Sequence, residues 1–169
     1  WNSLEDGVYQ YGVANTYAAN EIVYTQNFTD FYLTNNSTEI YPTMNAYWYI
    51  YREGSNNSYN WKIDSYITNG NTYESFSGKA AFITSNVTSS SYLSYLVTRP
   101  MTYNEAVKLS FKYITPAWGN DINTLKVMVS RDTHTGTWEE LWSSQKTDVQ
   151  GWPEAVVDLS AYVGQQIYI

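Results

Sequence analysis

The sequence predicts an all-β protein built as a sandwich, and three observations carry that expectation. The chain of 169 residues holds 18 Tyr, 7 Trp and 5 Phe, and aromatic and β-branched side chains favour a pleated, half-buried surface. Asn, Ser, Gly and Thr fill the stretches between the apolar runs, as turn formers do. Short runs of alternating apolar residues recur along the chain, which is how the strands of a sandwich are spaced. Apolar residues make up 43% and charged residues 15%, the opposite of a disordered composition.

The elements follow in order. Residues 1–20 show no clear period and read as a leader or the end of a preceding module, which puts the domain at 21–169. Glu21 to Phe28 alternates, with Ile22, Tyr24 and Phe28 on one face, and predicts a half-buried strand. Asn45 to Arg52 predicts a strongly aromatic strand, with Tyr47, Tyr49 and Tyr51 opposite Trp48 and Ile50. The polar run Glu53 to Ser58 predicts a turn. Residues 61–77 read as ambiguous and loop-rich. Lys79 to Thr84 and Tyr92 to Thr98 predict two strands joined by the Ser/Thr connection Ser85 to Ser91.

The second half alternates more cleanly. Val107, Leu109, Phe111 and Tyr113 face one way, and Lys108, Ser110 and Lys112 the other. Pro116 to Asn120 reads as a loop. Leu125, Val127 and Val129 alternate with Lys126, Met128 and Ser130. Arg131 to Thr137 predicts a turn near Gly136, and Trp138 to Trp142 a short strand. Gly151-Trp152-Pro153 opens another strand, with Ala155, Val157 and Leu159 as its inner face. Ser160 to Val163 is the one stretch expected to make a helical turn, and Gln166 to Ile169 begins a last strand. No internal repeat is evident.

Charge and composition exclude several functions. The net charge of −7 at pH 7 disfavours phosphate backbones and anionic lipid. With no cysteine there is neither a disulfide, nor a thiol nucleophile, nor a cysteine metal site. No run of 18 apolar residues is present, so no transmembrane helix is expected. A chain beginning at Trp1 is read as following a removed upstream segment, and a lipid anchor there is compatible with the sequence.

Four segments carry a family resemblance: Ser77-Gly78-Lys79-Ala80-Ala81, Tyr95-Leu96-Val97-Thr98-Arg99-Pro100-Met101, Ala106 to Tyr113 with its Leu-Ser-Phe centre, and Val157-Asp158-Leu159-Ser160-Ala161-Tyr162-Val163-Gly164-Gln165-Gln166-Ile167-Tyr168-Ile169. Over 75–169 the chain resembles the choice-of-anchor J / cleaved-adhesin domains of bacterial surface proteins, which are MAM-like, galactose-binding-type jelly rolls. The resemblance implies a jelly-roll β-sandwich, and a non-catalytic module attached to secreted or surface proteins. Two departures stand out. Asn27, Thr29 and a Ser/Asn-rich loop occupy positions that are often acidic or Asp/Gly-rich in the family. The family's last strand also normally continues beyond the position of Ile169 and is followed by another, so the expectation is either an incomplete domain or a final strand in sequence beyond Ile169.

Catalytic chemistry finds little support. A Ser/His/Asp triad needs a histidine base. The only histidine is His134, in a predicted turn, and no serine motif such as Gly-x-Ser-x-Gly is present. Glu139 and Glu140 are adjacent, so in a strand they point to opposite faces and cannot flank one bond. Other acids are scattered, and folding could bring two together as in a glycoside hydrolase. A structural calcium is the one cofactor considered, because related jelly rolls often carry one. Its candidate ligands are Asp30 and Asp64, and the alternative is that both are solvated surface acids.

Aromatic contact surfaces remain. Trp118, in Pro116-Ala117-Trp118-Gly119-Asn120-Asp121, sits in a loop beside polar partners, where a ring is more open to ligand than in a strand. Trp48, Trp138 and Trp142 are expected in the core. The candidate ligand-binding residues are Trp118, Asn120, Asp121 and Tyr49. Three readings follow. The first is an extracellular bacterial cell-surface adhesion module that binds a glycan or protein. The second is an accessory lipoprotein docked on an outer-membrane, TonB-dependent nutrient-uptake transporter. The third is a carboxylate-dependent glycoside hydrolase. The first is preferred, with no catalytic residue.

Overall fold

In the computed structural model the described residues are 28, 31–33, 39–42, 48–53, 61–69, 71–83, 93–117 and 119–169. They are all-β apart from one 3-10 turn, Ser160–Tyr162. That turn falls inside the stretch where the sequence predicts a helical turn. No helix among the described residues is long and apolar enough to cross a membrane. The predicted strand Glu21 to Phe28 and the expected leader 1–20 lie outside the described residues, save Phe28. The contacts gather the chain into two compact units, one reaching to Arg99 and one from Pro100 to Ile169.

The first unit contains β1 (Phe31–Leu33), β2 (Glu39–Pro42), β3 (Trp48–Glu53), β4 (Lys62–Asp64), β5 (Tyr66–Asn69), β6 (Asn71–Glu74), β7 (Ala80–Phe82) and β8 (Leu93–Val97). β1, β2, β3 and β8 form one antiparallel sheet in that order. β4 pairs with β7, and β5 with β6. The core centres on Ile50, packed by Phe28, Trp48, Trp61, Ile63 and Leu96. Phe28 meets Trp48 edge-on, with ring centroids 5.5 Å apart. The indole N–H of Trp61 donates to the carbonyl of Ser94 (3.0 Å), giving a ring at the core margin its polar partner.

Two expectations are corrected here. The strand predicted to end at Arg52 runs on to Glu53, whose backbone pairs with Leu93. More importantly, 61–77 is strand-rich. β4, β5 and β6 fill most of it, and β5 pairs with β6, with Thr68 opposite Thr72 and Ile67 opposite Tyr73. The signal was present in the sequence. Asn69-Gly70, flanked by Ile67-Thr68 and Thr72-Tyr73, is a strong short hairpin pattern.

The second unit contains β9 (Met101–Thr102), β10 (Lys108–Lys112), β11 (Lys126–Val129), β12 (Glu139–Ser143), β13 (Glu154–Asp158) and β14 (Gln166–Ile167). β10 pairs with β13, and Leu109 opposite Val157 and Phe111 opposite Ala155 share one face. Ala155, Val157 and Leu159 are buried, as their alternation predicts. β11 pairs with β12 and β9 with β14. An antiparallel bridge between Ser130 and Tyr168 links these two pairs through hydrogen bonds of 3.0 and 2.8 Å. Backbone pairing therefore runs β12–β11–β14–β9.

Side chains join this row to the β10–β13 ladder. Trp142 of β12 lies edge-on to both Phe111 (5.3 Å) and Tyr113 (5.1 Å). Trp142 is half-buried, as is Trp138. A bulge makes the inward turn of Trp142 compatible with its neighbour. Val127 faces Trp142 and Met128 faces Glu140, which leaves Leu141 as an extra residue on β12. Extra residues break strict alternation, so Leu141 and Trp142 are both half-buried while Glu139 and Glu140 are both exposed. Each glutamate meets its own cation, Arg131 (3.3 Å) for Glu139 and Lys126 (2.5 Å) for Glu140. Ion pairs this exposed add little stability.

The turn predicted near Gly136 forms, with the Gly136 N–H donating to Thr133 O (3.0 Å). A Cβ at Gly136 would stand 2.9 Å from Asp132 Cβ, so close approach requires glycine there. Asp158 ends β13 and accepts the Ser160 N–H (2.9 Å). Its hydrogen bonds from the Ser160 backbone and side chain, helped by Lys108, hold its carboxyl below the usual carboxylate value.

Ile167 is fully buried on one of the shortest strands. Truncating a buried isoleucine removes its transfer energy and leaves a cavity, which together cost about 2–5 kcal/mol. Ile167→Ala is therefore expected to lower the unfolding free energy of the second unit by about that amount in urea denaturation. A loss below about 0.5 kcal/mol would contradict this packing.

Candidate functional site

At one end of the β10–β13 ladder, backbone and side-chain hydrogen bonds join two loops that carry polar side chains and Trp152. Beyond β10, Tyr113 N–H donates to Pro153 O (3.2 Å), and Thr115 and Val149 exchange two backbone hydrogen bonds (3.0 and 3.2 Å). Between these two pairings one strand advances from 113 to 115, while its partner runs from 149 to 153. The partner thus carries two extra residues. Gly151 and Trp152 are among those it contributes, and both have positive φ, 78° and 54°. A Cβ at Gly151 would meet nothing within 4 Å, so backbone conformation alone accounts for glycine there. Trp152 lacks that freedom. A left-handed conformation costs an L-residue about 1–2 kcal/mol, and bulges of this kind re-aim side chains at strand ends.

Asp148 ties the two loops together. Its Oδ1 accepts the Ala117 N–H (3.0 Å). The Gln150 side-chain amide donates to both carboxylate oxygens (3.3 and 3.0 Å). Thr115 Oγ1 adds a bond to Thr147 O (3.3 Å). The segment 115–121 is thereby fixed at its start to the strand that leads into β13. Asn120, Asp121, Asp148 and Gln150 are exposed on these loops, and Trp152 is half-buried.

The structure distributes the sequence-predicted residues unevenly. Asn120 and Asp121 lie in the expected loop, next to a left-handed Gly119 (φ 58°). Trp118 lies outside the described residues. Tyr49 belongs to the first unit, on β3 opposite Val97, and is half-buried. Asp148, Gln150 and Trp152 were not among the predicted site residues. The pair Gly151-Trp152 marked them in part, as a glycine where a strand was about to open. The hydrogen bond from Ala117 to Asp148 spans 31 residues, and no local pattern announces it.

Metal and catalytic candidates fare differently. Asp30 lies outside the described residues. Asp64 is exposed at the end of β4, and its Oδ1 accepts the Ser65 N–H (2.7 Å). Among the described residues no three His, Asp or Glu side chains gather to hold a metal ion. His134 sits in the turn between β11 and β12 and is half-buried, with its ring 6.3 Å from that of Tyr168.

Comparison with protein-family models, curated proteins and solved structures returns no match. The chain is therefore placed in no family by these comparisons, and the reading of its site rests on its own residues.

The tie between loops predicts a local effect. A hydrogen bond contributes about 1 kcal/mol net, or roughly fivefold in an opening equilibrium. Asp148→Ala is expected to speed amide exchange at Ala117 about fivefold, with exchange at Leu109 and Val157 unchanged. Equal acceleration at all three sites, or none at Ala117, would remove Asp148 from this role.

Proposed function

We propose that the protein is a non-catalytic module of a bacterial cell surface that binds a neutral glycan through the loops at the end of the β10–β13 ladder. The observation that supports this most is the left-handed Trp152 on a two-residue bulge, in the same segment as Asp148, whose carboxylate anchors the opposite loop. Strained backbone concentrates where a side chain must be held for a ligand. Sugars offer apolar C–H faces to indole rings and hydroxyls to amides and carboxylates, and the rim supplies both kinds of group. Its acids, Asp121 and Asp148, disfavour glycans carrying uronic or sialic acids through like-charge repulsion. The resemblance over 75–169 to surface adhesion domains points the same way. The jelly-roll form of the sandwich and the extracellular location belong to this same proposal.

A glycan array probed with the purified protein tests it. Binding to one or more neutral glycans is expected, weakened about two- to tenfold in Trp118→Ala and in Trp152→Ala, since aromatic contacts contribute about 0.5–1.5 kcal/mol. Because Trp152 is half-buried, its variant is to be compared at equal folded fraction, and Trp118→Ala supplies the independent arm. No glycan binding, or binding indifferent to both tryptophans, would overturn the reading.

A further inference from the structure

The contact between Gln150 and Asp148 fixes which end of the Gln150 amide is occupied. An ionised carboxylate only accepts hydrogen bonds, whereas a primary amide donates through its NH2 and accepts through its carbonyl. The atom that meets Asp148 is therefore Nε2, 3.3 Å from Oδ1 and 3.0 Å from Oδ2. The carbonyl oxygen, Oε1, is left outside this contact and accepts no hydrogen bond from the described residues. Asp148 is itself held in place, because its Oδ1 also accepts the Ala117 N–H (3.0 Å). Both side chains are exposed. What the pair offers to solvent is thus a set of acceptors, Gln150 Oε1 and the remaining lone pairs of the carboxylate, with the donating end of the amide already taken.

A set of acceptors selects a ligand that can donate. A free sugar hydroxyl carries a hydrogen for them, and an ether or ester oxygen in its place carries none. A substituted sugar would therefore displace water from these acceptors and give no hydrogen bond in return. Ammonium is the other donor to weigh. Within residues 145–150 Lys146 offsets Asp148, so this segment has no net charge. Asp121 on the opposite loop adds one exposed carboxylate, and a single exposed charge holds a cation weakly. The hydroxyl is the donor that the pair fits.

We infer, resting on the glycan reading of these loops, that Gln150 sets ligand specificity by accepting a hydrogen bond from a free hydroxyl, so that glycans with unsubstituted hydroxyls bind and their O-methylated or O-acetylated forms are rejected.

The test uses the full chain and a panel of neutral oligosaccharides of glucose, mannose or galactose, each free and fully O-methylated. A chitosan oligosaccharide serves as the ammonium-bearing competitor, and affinities are read by titration calorimetry. At least one free member is expected to bind, and to bind at least about fivefold more tightly than its O-methylated form. Gln150→Leu keeps the bulk of the side chain and removes its acceptor. It is expected to weaken the free form about fivefold and to leave the O-methylated form unchanged, because the interaction it removes is already absent there. A merely structural role for Gln150 would weaken both forms alike. Equal losses in the two forms, no preference between them, or tighter binding of chitosan than of any neutral member would overturn the inference. A chain that binds no member of the panel would instead fail the glycan reading itself, and this inference with it.

Discussion

The pairing of β10 with β13 is the constraint on which the second unit depends. Its register sets Leu109 against Val157 and Phe111 against Ala155 on one face. The other face receives Lys108 with Asp158 and Lys112 with Glu154. A slip of one residue would exchange these faces entirely, because side chains alternate with a period of two. The buried face gains the hydrophobic energy of Ala155, Val157 and Leu159, and the solvent face gains cross-strand pairs of opposite charge. Trp142 then locks against Phe111 and Tyr113, which couples the ladder to the row containing β11 and β14. The candidate site inherits its geometry from the same register. Thr115 meets Val149 only because the strands below them are already aligned.

Much of this was legible in the sequence where period and punctuation agree. The alternation from Val107 to Tyr113 and the inner face Ala155, Val157 and Leu159 were readable because one face is apolar and the other is charged. The turn near Gly136 was readable from its polar run and glycine. Residues 61–77 were misread because short three- and four-residue strands carry too few alternations to show a period, although Asn69-Gly70 held the turn signal. The bulge at Leu141 was hidden for another reason. Adjacent half-buried Leu141 and Trp142 look like an irregular strand until the partner strand is known.

The candidate site divides along the same line. The loop holding Asn120 and Asp121 was visible as Pro116 to Asn120, a local feature. Asp148 was invisible because its role is to accept a hydrogen bond from Ala117, which is set by the fold and not by sequence neighbours. Trp152 sits between the two cases. Its glycine neighbour signals a special backbone, yet only the fold shows that the tryptophan itself is left-handed. Strain of this kind marks positions where local preference yields to another requirement, and it is the main reason for locating ligand contact at this end of the ladder.

The central claim is that β10–β13 pairing resumes beyond a two-residue bulge at the Thr115–Val149 bridge and so ties the two loops to the ladder. Interstrand backbone nuclear Overhauser effects in the isotope-labelled protein test it most directly. The account predicts contacts of Ser110 with Val156 and of Thr115 with Val149 in the same sample. Contacts of Ser110 with Ala155 or Val157 in place of Val156, or a Thr115 backbone with no Val149 neighbour, would contradict it.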